Sequence, residues 1–309
     1  MSEAAKGFWA MVAASVIWGL SGLFFKALQA VPPLEVLAHR TIWSTVMFAL
    51  VLVFQGRLGV WAQAMRSPAV RIMALAALVI SLNWFIYIWS VQSGHAVEAS
   101  LGYYIFPLVA VLLGWLVAKE ALGRAQWVAV GLAATAVTIL GLGLGTPPWV
   151  ALILAGSFGS YGLIKKRLDL GPVVSVMGEV TLLLPFALIL VVGGHLGVVP
   201  PSLAEGHFGG AWLETLLLAA SGLMTALPLM LFSYAARRVR MATVGLVQYI
   251  NPTLQFTVAA LIFLEPVTRW HGIALALIWT GLALYSWSSW RGKPARVPQD
   301  KALASTSSS

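Results

Sequence analysis

Charged residues are scarce in this chain. Asp, Glu, Lys and Arg together make up 9% of its 309 residues, whereas hydrophobic residues make up 60% and the mean hydropathy is +0.90. A soluble domain of average composition carries about 25% charged residues. So little charge argues against a soluble enzyme or binding domain, and it predicts that lipid surrounds most of the chain.

Cysteine is absent, and so are the motifs of several enzyme classes. Without cysteine, neither a disulfide nor a thiolate metal site can form. No HExxH, GxSxG or P-loop motif occurs, which argues against a zinc protease, a serine hydrolase and an ATP-driven pump. The acidic residues within apolar stretches are isolated from one another, so we expect neither a catalytic site nor a cofactor.

The sequence contains a series of long apolar stretches. A helix needs about 20 apolar residues to cross a bilayer core of roughly 30 Å. Alternation with a period of two residues is absent, so the stretches do not read as strands of a β-barrel. We predict an all-α integral membrane protein with ten transmembrane helices, at about residues 7–28, 34–55, 70–92, 96–118, 124–142, 148–165, 172–193, 212–234, 242–264 and 270–290.

The basic residues are unevenly distributed between the predicted loops. When the N-terminus is placed in the cytoplasm, 16 of the 19 Lys and Arg residues fall on the cytoplasmic side. Arg269 alone falls outside, and Lys26 and Arg40 lie within spans. This pattern follows the positive-inside rule. The net charge of +9 therefore reflects membrane topology, with both termini in the cytoplasm, and no nucleic acid partner is expected.

The two halves of the chain resemble each other. The segment LGYYIFPLVAVLLGWLVAKEALGRAQW, which starts at Leu101, aligns without gaps with LVQYINPTLQFTVAALIFLEPVTRWHG, which starts at Leu246. We therefore divide the chain into a cytoplasmic N-terminus at 1–6, a first five-helix repeat at 7–142, a second repeat at 143–290 and a disordered cytoplasmic tail at 291–309. The constant offset of 145 residues pairs Tyr104 with Tyr249, Pro107 with Pro252, Glu120 with Glu265 and Arg124 with Arg269.

An odd number of spans in each repeat inverts the second repeat in the membrane. Inverted repeats related by an axis in the membrane plane are typical of secondary transporters, whose substrate site lies near the midplane between the halves. The sequence thus favours transport of small molecules by alternating access. A passive channel, an exchanger and an integral-membrane enzyme are the alternatives. The predicted partners are a small-molecule substrate and membrane lipid, and the chain could be a monomer or a homodimer.

Several motifs resemble those of one known family. AHRTIWS at 38–44, LNWFIYIW at 82–89, EASLGYYIFP at 98–107, SYGLIKK at 160–166 and QYINPTL at 248–254 are similar to segments of the RarD-type members of the drug/metabolite transporter superfamily. The resemblance covers about residues 6–290. It implies the ten-helix EamA fold, a bacterial inner membrane and secondary transport. The superfamily mostly exports amino acids, related metabolites and drugs, and the family's description as chloramphenicol-sensitive leaves the physiological substrate open.

Two prolines inside predicted spans point to a substrate cavity. Proline in a helix leaves the carbonyl four residues earlier without its donor, and in a membrane that carbonyl needs protein or a water-filled cavity beside it. Because the repeat relates Pro107 to Pro252, we expect their kinked faces to oppose each other; in the alternative, the prolines only bend their helices. Aromatic, hydroxyl and amide groups nearby suit an amphipathic organic molecule. The predicted cavity residues are Trp18, Asn83, Tyr87, Ser100, Tyr103, Tyr104, Tyr161, Gln248 and Tyr249.

Arg40 and Glu98 form the predicted outer part of this site. Arg40 lies well inside the second span, where an arginine that does not snorkel to the surface calls for a partner or a function. Glu98 starts the fourth span at a similar depth. We predict an Arg40–Glu98 ion pair that serves as an outer gate or as an anchor for a substrate carboxylate, since a guanidinium matches a carboxylate in shape.

His39 and Glu179 are the other ionisable candidates. His39 either ties two helices together by hydrogen bonding or relays protons. Glu179, near the cytoplasmic side of the seventh span, is expected to pair with Lys165, Lys166 or the basic cluster at 237–240. Alternatively, a carboxylate at membrane depth can carry a coupling proton.

Overall fold

The computed structural model describes residues 1–119 and 121–291. Helices joined by turns and loops account for these residues, and no strand occurs among them, which confirms the all-α prediction. A π-helical turn at Val258–Ile262 follows α12. The helices are α1 (Glu3–Ala27), α2 (Pro33–Phe54), α3 (Leu58–Arg66), α4 (Ala69–Gln92), α5 (Ala96–Ala118), α6 (Arg124–Leu144), α7 (Trp149–Lys165), α8 (Pro172–His195), α9 (Trp212–Ala220), α10 (Leu223–Ala236), α11 (Met241–Gln248), α12 (Ile250–Thr257) and α13 (Arg269–Arg291).

Seven segments among the described residues are long and apolar enough to cross a membrane. They are α1, α2, α4, α5, α6, α8 and the segment Trp212–Ala236, which contains α9 and α10. α7 is apolar but has only 17 residues. The arrangement of ten crossing helices in two inverted repeats therefore stays a prediction. Two parts of the prediction lie outside the described residues. They are Glu120, which the repeat pairs with Glu265, and residues 292–309 of the predicted tail.

Apolar side chains cover much of the outside of the helices. Phe54, Leu142, Phe186 and Ile189 are each at least 68% exposed. Contiguous exposed apolar surface is unfavourable for a protein in water, whereas a bilayer core is as apolar as these side chains. The surface therefore agrees with the composition in favouring a lipid environment.

The predicted span at 242–264 is not one continuous helix. α11 ends at Gln248 and α12 starts at Ile250. Pro252 lies four residues after Gln248, so it has no N–H to donate to the Gln248 carbonyl oxygen. The π-helical turn then interrupts the regular pattern a second time, a feature that is frequent at functional sites. Pro107, in contrast, lies within an uninterrupted α5.

The main helix contacts join the first half of the chain to the second. α1 packs on α10, α2 on α8, α5 on α7 and α6 on α13. The close approach of α5 and α7 depends on Gly102, because a Cβ there would lie 2.8 Å from the carbonyl oxygen of Ala151. Small residues at such contacts let membrane helices approach closely. All of these helices except α6 contribute residues to the lining of the cavity described next.

Candidate functional site

A cavity of about 1390 Å³ lies between the helices of the two halves. Residues of α1, α2, α4 and α5 line it on one side, and residues of α7, α8 and α10 to α13 line it on the other. Many of the lining side chains are aromatic, including Trp18, Trp84, Tyr103 and Phe158. Apolar walls with a few placed polar groups are typical of sites for small organic ligands.

The cavity has an exposed end and a closed end. Its exposed end, which we call the basic mouth, is formed by Lys165, Lys166 and Arg240, of which Lys166 and Arg240 are exposed. The opposite end, which we call the closed end, is bounded by Phe25 and Arg40, whose exposed fractions are 1% and 5%. The described lining is thus accessible at the basic mouth and buried at the closed end.

Arg40 is held at the closed end by a hydrogen bond and two aromatic rings. Its Nε donates to Thr225 Oγ1 at 2.8 Å. Its guanidinium carbon lies 4.3 Å from the centre of the Trp84 ring and 5.5 Å from that of Phe25. Cation–π contacts of this kind are strongest where water is excluded. The three partners come from α10, α4 and α1, so Arg40 connects four helices across the two halves.

Asn83 is the centre of a second network on the cavity wall. Tyr103 donates its hydroxyl to Asn83 Oδ1 at 3.0 Å, and Asn83 Nδ2 donates to Leu154 O at 3.0 Å and Ser157 Oγ at 2.9 Å. These bonds fix α4 against α5 and α7. A buried amide with all three of these partners is satisfied, so Asn83 holds the wall in place, and a ligand would have to displace one of its bonds to reach it.

The cavity brings together seven of the nine predicted cavity residues. Pro107 and Pro252 also line it, and α5 and α12, which carry them, are in contact. Across that contact, the Tyr104 hydroxyl donates to Thr253 Oγ1 at 2.8 Å. The seven residues that line the cavity are Trp18, Asn83, Tyr87, Tyr103, Tyr161, Gln248 and Tyr249.

Ser100 and Tyr104 are not part of this lining. The Ser100 hydroxyl is fully buried and donates to the Val97 carbonyl oxygen at 2.6 Å, within its own helix. Tyr104 packs in the apolar cluster between α5, α6 and α13. The i, i+3, i+4 spacing left open which tyrosine faces the cavity, and the helix rotation directs Tyr103 toward it.

The predicted Arg40–Glu98 ion pair is wrong. Glu98 Oε1 accepts hydrogen bonds from the backbone N–H groups of Val150, at 2.9 Å, and Ala151, at 3.5 Å. It thus caps the N-terminus of α7, where unpaired N–H groups and the helix dipole favour a carboxylate. The two side chains face different neighbours, so a similar predicted depth was not enough to identify a pair.

Glu179 is buried, with an exposed fraction of 1%, and has three side-chain partners. Lys165, one of the predicted partners, lies 2.5 Å away, and Tyr161 and Ser175 donate to the carboxylate at 2.9 Å and 3.0 Å. Lys165 also donates to Ser175. This cluster ties the end of α7 to α8 beside the basic mouth.

His39 does not tie helices together by hydrogen bonding. Its ring stacks on Phe208 with a centroid distance of 5.0 Å and an interplanar angle of 20°. Both ring nitrogens are buried and have no hydrogen-bond partner within the described part of the chain. The prediction that His39 ties two helices by hydrogen bonding is therefore wrong, and its ring contacts the loop between α8 and α9.

Glu35 has a role that the sequence interpretation missed. Its carboxylate is fully buried and accepts from the N–H groups of Glu205, at 2.8 Å, and His207, at 2.7 Å. The His207 ring lies 3.3 Å from the same carboxylate. The sequence signal for this role was an acidic residue at the start of a span. The signal did not identify the partners of Glu35, because they lie about 170 residues away in a loop. Glu35 fastens this loop over the closed end.

Other lining residues were not predicted. Phe158 adds an apolar face, and Thr225 fixes Arg40. Trp84, which follows Asn83 in the sequence, also lines the cavity. Nothing in the sequence around Thr225 distinguishes it. Among the described residues, no group of three or more His, Asp or Glu side chains could hold a metal ion.

The chain is similar to a family of transporters and to proteins named RarD. The EamA-like transporter family model matches residues 5–142. Protein RarD of Streptomyces exfoliatus is 46% identical over 278 residues, 89% of this chain and 86% of that protein. The uncharacterized transporter YojE of Bacillus subtilis is 42% identical over 95% of this chain and 98% of its own length. Protein RarD of Escherichia coli is 35% identical, with 91% and 93% covered.

A solved crystal structure has a similar fold. Its chain is 19% identical to this one, with a TM-score of 0.58 over 93% of this chain and 98% of the other. At this identity the likeness concerns the fold alone. It extends across both halves of the chain, including the segments that surround the cavity.

Proposed function

We propose, because this chain belongs to the EamA-like transporter family as a RarD-type member, that it is a secondary transporter working by alternating access. Its substrates would be small amphipathic organic molecules, such as amino acids, related metabolites or drugs. The observation that carries the proposal is a cavity of about 1390 Å³ between the halves, with one exposed and one closed end. A site reached from one side at a time is what alternating access requires.

The distribution of basic residues supports an assignment of the two ends. The basic mouth would face the cytoplasm of a bacterial inner membrane, because Lys and Arg are enriched on the cytoplasmic side of short loops. The state described here would then be open to the cytoplasm. An exporter would load its substrate in this state, and the drug/metabolite transporter superfamily mostly exports, so we propose export as the direction.

The closed end supplies the contacts that must break when access switches. The Arg40–Thr225 bond joins α2 to α10, and the Glu35 carboxylate holds the loop through Glu205 and His207. These groups join the first half of the chain to the second. Moving one half against the other would open this end while the basic mouth closes. A passive channel would instead need a continuous path past these buried contacts.

Counterflow in sealed proteoliposomes tests transport. A thermal-shift screen of amino acids, related metabolites and amphenicol drugs first identifies a compound that binds. The labelled compound is then added outside the proteoliposomes, and the unlabelled compound is enclosed inside them. We expect saturable uptake that unlabelled compound on the opposite side accelerates. Uptake that rises linearly with concentration and ignores the opposite side would contradict the proposal and favour a channel.

Two glycines provide a matched pair of variants for this assay. A Cβ at Gly162, which lines the cavity, or at Gly131, which is exposed on α6, would have no heavy atom within 4 Å. Gly162→Trp should fill the cavity near its mouth and abolish counterflow, whereas Gly131→Trp should leave it nearly unchanged. Equal uptake by both variants would mean that substrate does not pass through this cavity.

A further inference from the structure

The cavity lining carries positive charge and no acidic residue among the described positions. Its ionisable lining cations are Arg40, Lys165, Lys166 and Arg240. Lys165 is paired with Glu179, which lies behind it. Arg240 is at the mouth, where solvent screens its charge. Arg40 is therefore the one of these cations whose charge acts deep in the apolar part of the cavity.

Arg40 lacks an anionic partner. Among the described residues no carboxylate lies within ion-pair distance, and Thr225 Oγ1 is its hydrogen-bond acceptor, bound through Nε. The terminal nitrogens are left without an acceptor in that part of the chain. A buried charge without a counter-charge is strongly unfavourable, and the aromatic faces of Trp84 and Phe25 offset only part of that. The residue is 5% exposed and lines the cavity, so a ligand in the cavity can supply the missing acceptor.

The fixed orientation of the guanidinium suits a carboxylate. Thr225 and the Trp84 ring hold the plane in position, which leaves two parallel N–H groups for a bidentate acceptor. Arg–carboxylate pairs commonly adopt this geometry. Trp84 lies next to it, and Tyr103 and Phe158, whose ring centres are 6.0 Å apart, also present aromatic surface to the cavity. The basic mouth would raise the local concentration of anions at the entrance.

We propose that the cavity selects small organic anions, with the carboxylate bound by Arg40 and an apolar or aromatic body held between Trp84, Tyr103 and Phe158. This inference rests on the proposed transport function and specifies the class of substrate for the same cavity. A cation or a neutral molecule of the same shape would leave Arg40 without an acceptor and would bind more weakly.

Three probes with one ring and different charge test this selectivity. Phenylacetate is anionic, 2-phenylethanol is neutral and phenethylamine is cationic. Their binding to the purified full-length protein is measured by calorimetry in detergent micelles. We expect phenylacetate to bind at least about tenfold more tightly than the other two, as an ionic hydrogen-bonded pair usually provides. Equal binding of the neutral or cationic probe, or no binding of phenylacetate, would overturn the proposal.

Variants assign the selectivity to Arg40. Arg40→Gln should remove the preference for phenylacetate, so that its Kd rises by about tenfold or more. Arg269→Gln is the matched control, because Arg269 also lies over an aromatic ring, that of Trp270 at 4.9 Å, but is not in the cavity lining. It should leave all three affinities unchanged. A preference that survives in folded Arg40→Gln would overturn the assignment.

Photo-crosslinking covers the case in which Arg40→Gln does not fold. The unchanged protein is labelled with 4-azidophenylacetate and digested. We expect label on peptides that contain Trp84, Tyr103 or Met224, which line the deep part of the cavity; label confined to peptides with Lys166 or Arg240 would overturn the proposal. Counterflow separates the two hypotheses. Selective phenylacetate binding without saturable counterflow refutes transport, whereas counterflow of 2-phenylethanol but not phenylacetate refutes anion selectivity.

Discussion

The acidic residues buried in the helices each have a defined set of donors. Glu98 accepts from the first N–H groups of α7, Glu35 from a loop backbone, and Glu179 from Lys165, Tyr161 and Ser175. A carboxylate removed from water needs this many donors to remain stable. Glu179 and Lys165 form the clearest buried ion pair, because the carboxylate is 1% exposed and the lysine side chain 21%.

Glu179→Gln should destabilise the protein by about 2 kcal/mol. Loss of one partner leaves a partly buried lysine without its counter-charge, and the full value of about 3–5 kcal/mol for buried pairs is reduced here because Lys165 reaches solvent. Thermal unfolding in detergent measures the change. Glu3→Gln is the control, since Glu3 pairs with Lys6 and Arg238 at 62% side-chain exposure and exposed pairs contribute little. Equal losses in the two variants would show that the Glu179 cluster is not a stabilising contact.

The polar residues that need partners could be recognised from the sequence, whereas the partners themselves often could not. Asn83 and Tyr103 were recognisable because polar groups in an apolar span need partners. Arg40 was recognisable for the same reason, but Glu98 was not its partner, since spacing along a span defines depth and leaves the rotation of each helix open. Glu35 shows the same limit, because its donors lie in a loop far along the chain.

At the scale of the helices, α5 and α7 are in close contact at the cavity wall. A Cβ on Gly102 would lie 2.8 Å from the Ala151 carbonyl oxygen and 3.0 Å from Leu154 Cβ. Backbone atoms cannot move aside as a flexible side chain can. The contact also brings Tyr103 and Asn83 together with Leu154 and Ser157, so the geometry of the wall depends on this approach.

Gly102→Ala should therefore destabilise the protein by about 1–3 kcal/mol through overpacking. Gly131→Ala provides the comparison, because a Cβ on Gly131 has no neighbour within 4 Å and alanine favours a helix by up to about 1 kcal/mol. In thermal unfolding in detergent, the Tm of Gly131→Ala should equal or exceed that of the unchanged protein. The Tm of Gly102→Ala should be lower. The opposite order would contradict the close α5–α7 contact.

Helix positions were predicted more accurately than helix continuity. Apolar stretches of about 20 residues located most of the long helices, and Pro252 marked the place where α11 ends. The division of the segment 212–236 into α9 and α10, and the π-helical turn after α12, had no clear signal. Such breaks depend on tertiary contacts that replace lost backbone bonds, and these contacts cannot be read from hydropathy.

For the whole molecule, the helix contacts support an approximate two-fold relation between the halves. Under the predicted repeat, α1 corresponds to α7, α4 to α10 and α5 to the α11–α12 segment. The α1–α10 contact then has a counterpart in α7–α4, and α5–α7 has one in α12–α1; all four occur. The repeat also relates α2 to α8 and α6 to α13. A two-fold operation therefore maps the α2–α8 and α6–α13 contacts onto themselves, and both contacts occur. This pattern is consistent with a two-fold relation between the halves, and the inverted orientation stays a prediction.

Opposite membrane orientation of the repeats remains to be measured, and the absence of cysteine makes the measurement direct. Ala121→Cys and Pro266→Cys place thiols at two exposed positions separated by the repeat offset of 145 residues. A membrane-impermeant maleimide should label Cys at 266 in intact cells and Cys at 121 only in inside-out vesicles, because five spans lie between equivalent loops. The unchanged protein should remain unlabelled. Labelling of both positions from the same side would require an even number of crossings between them, and it would remove the basis for alternating access.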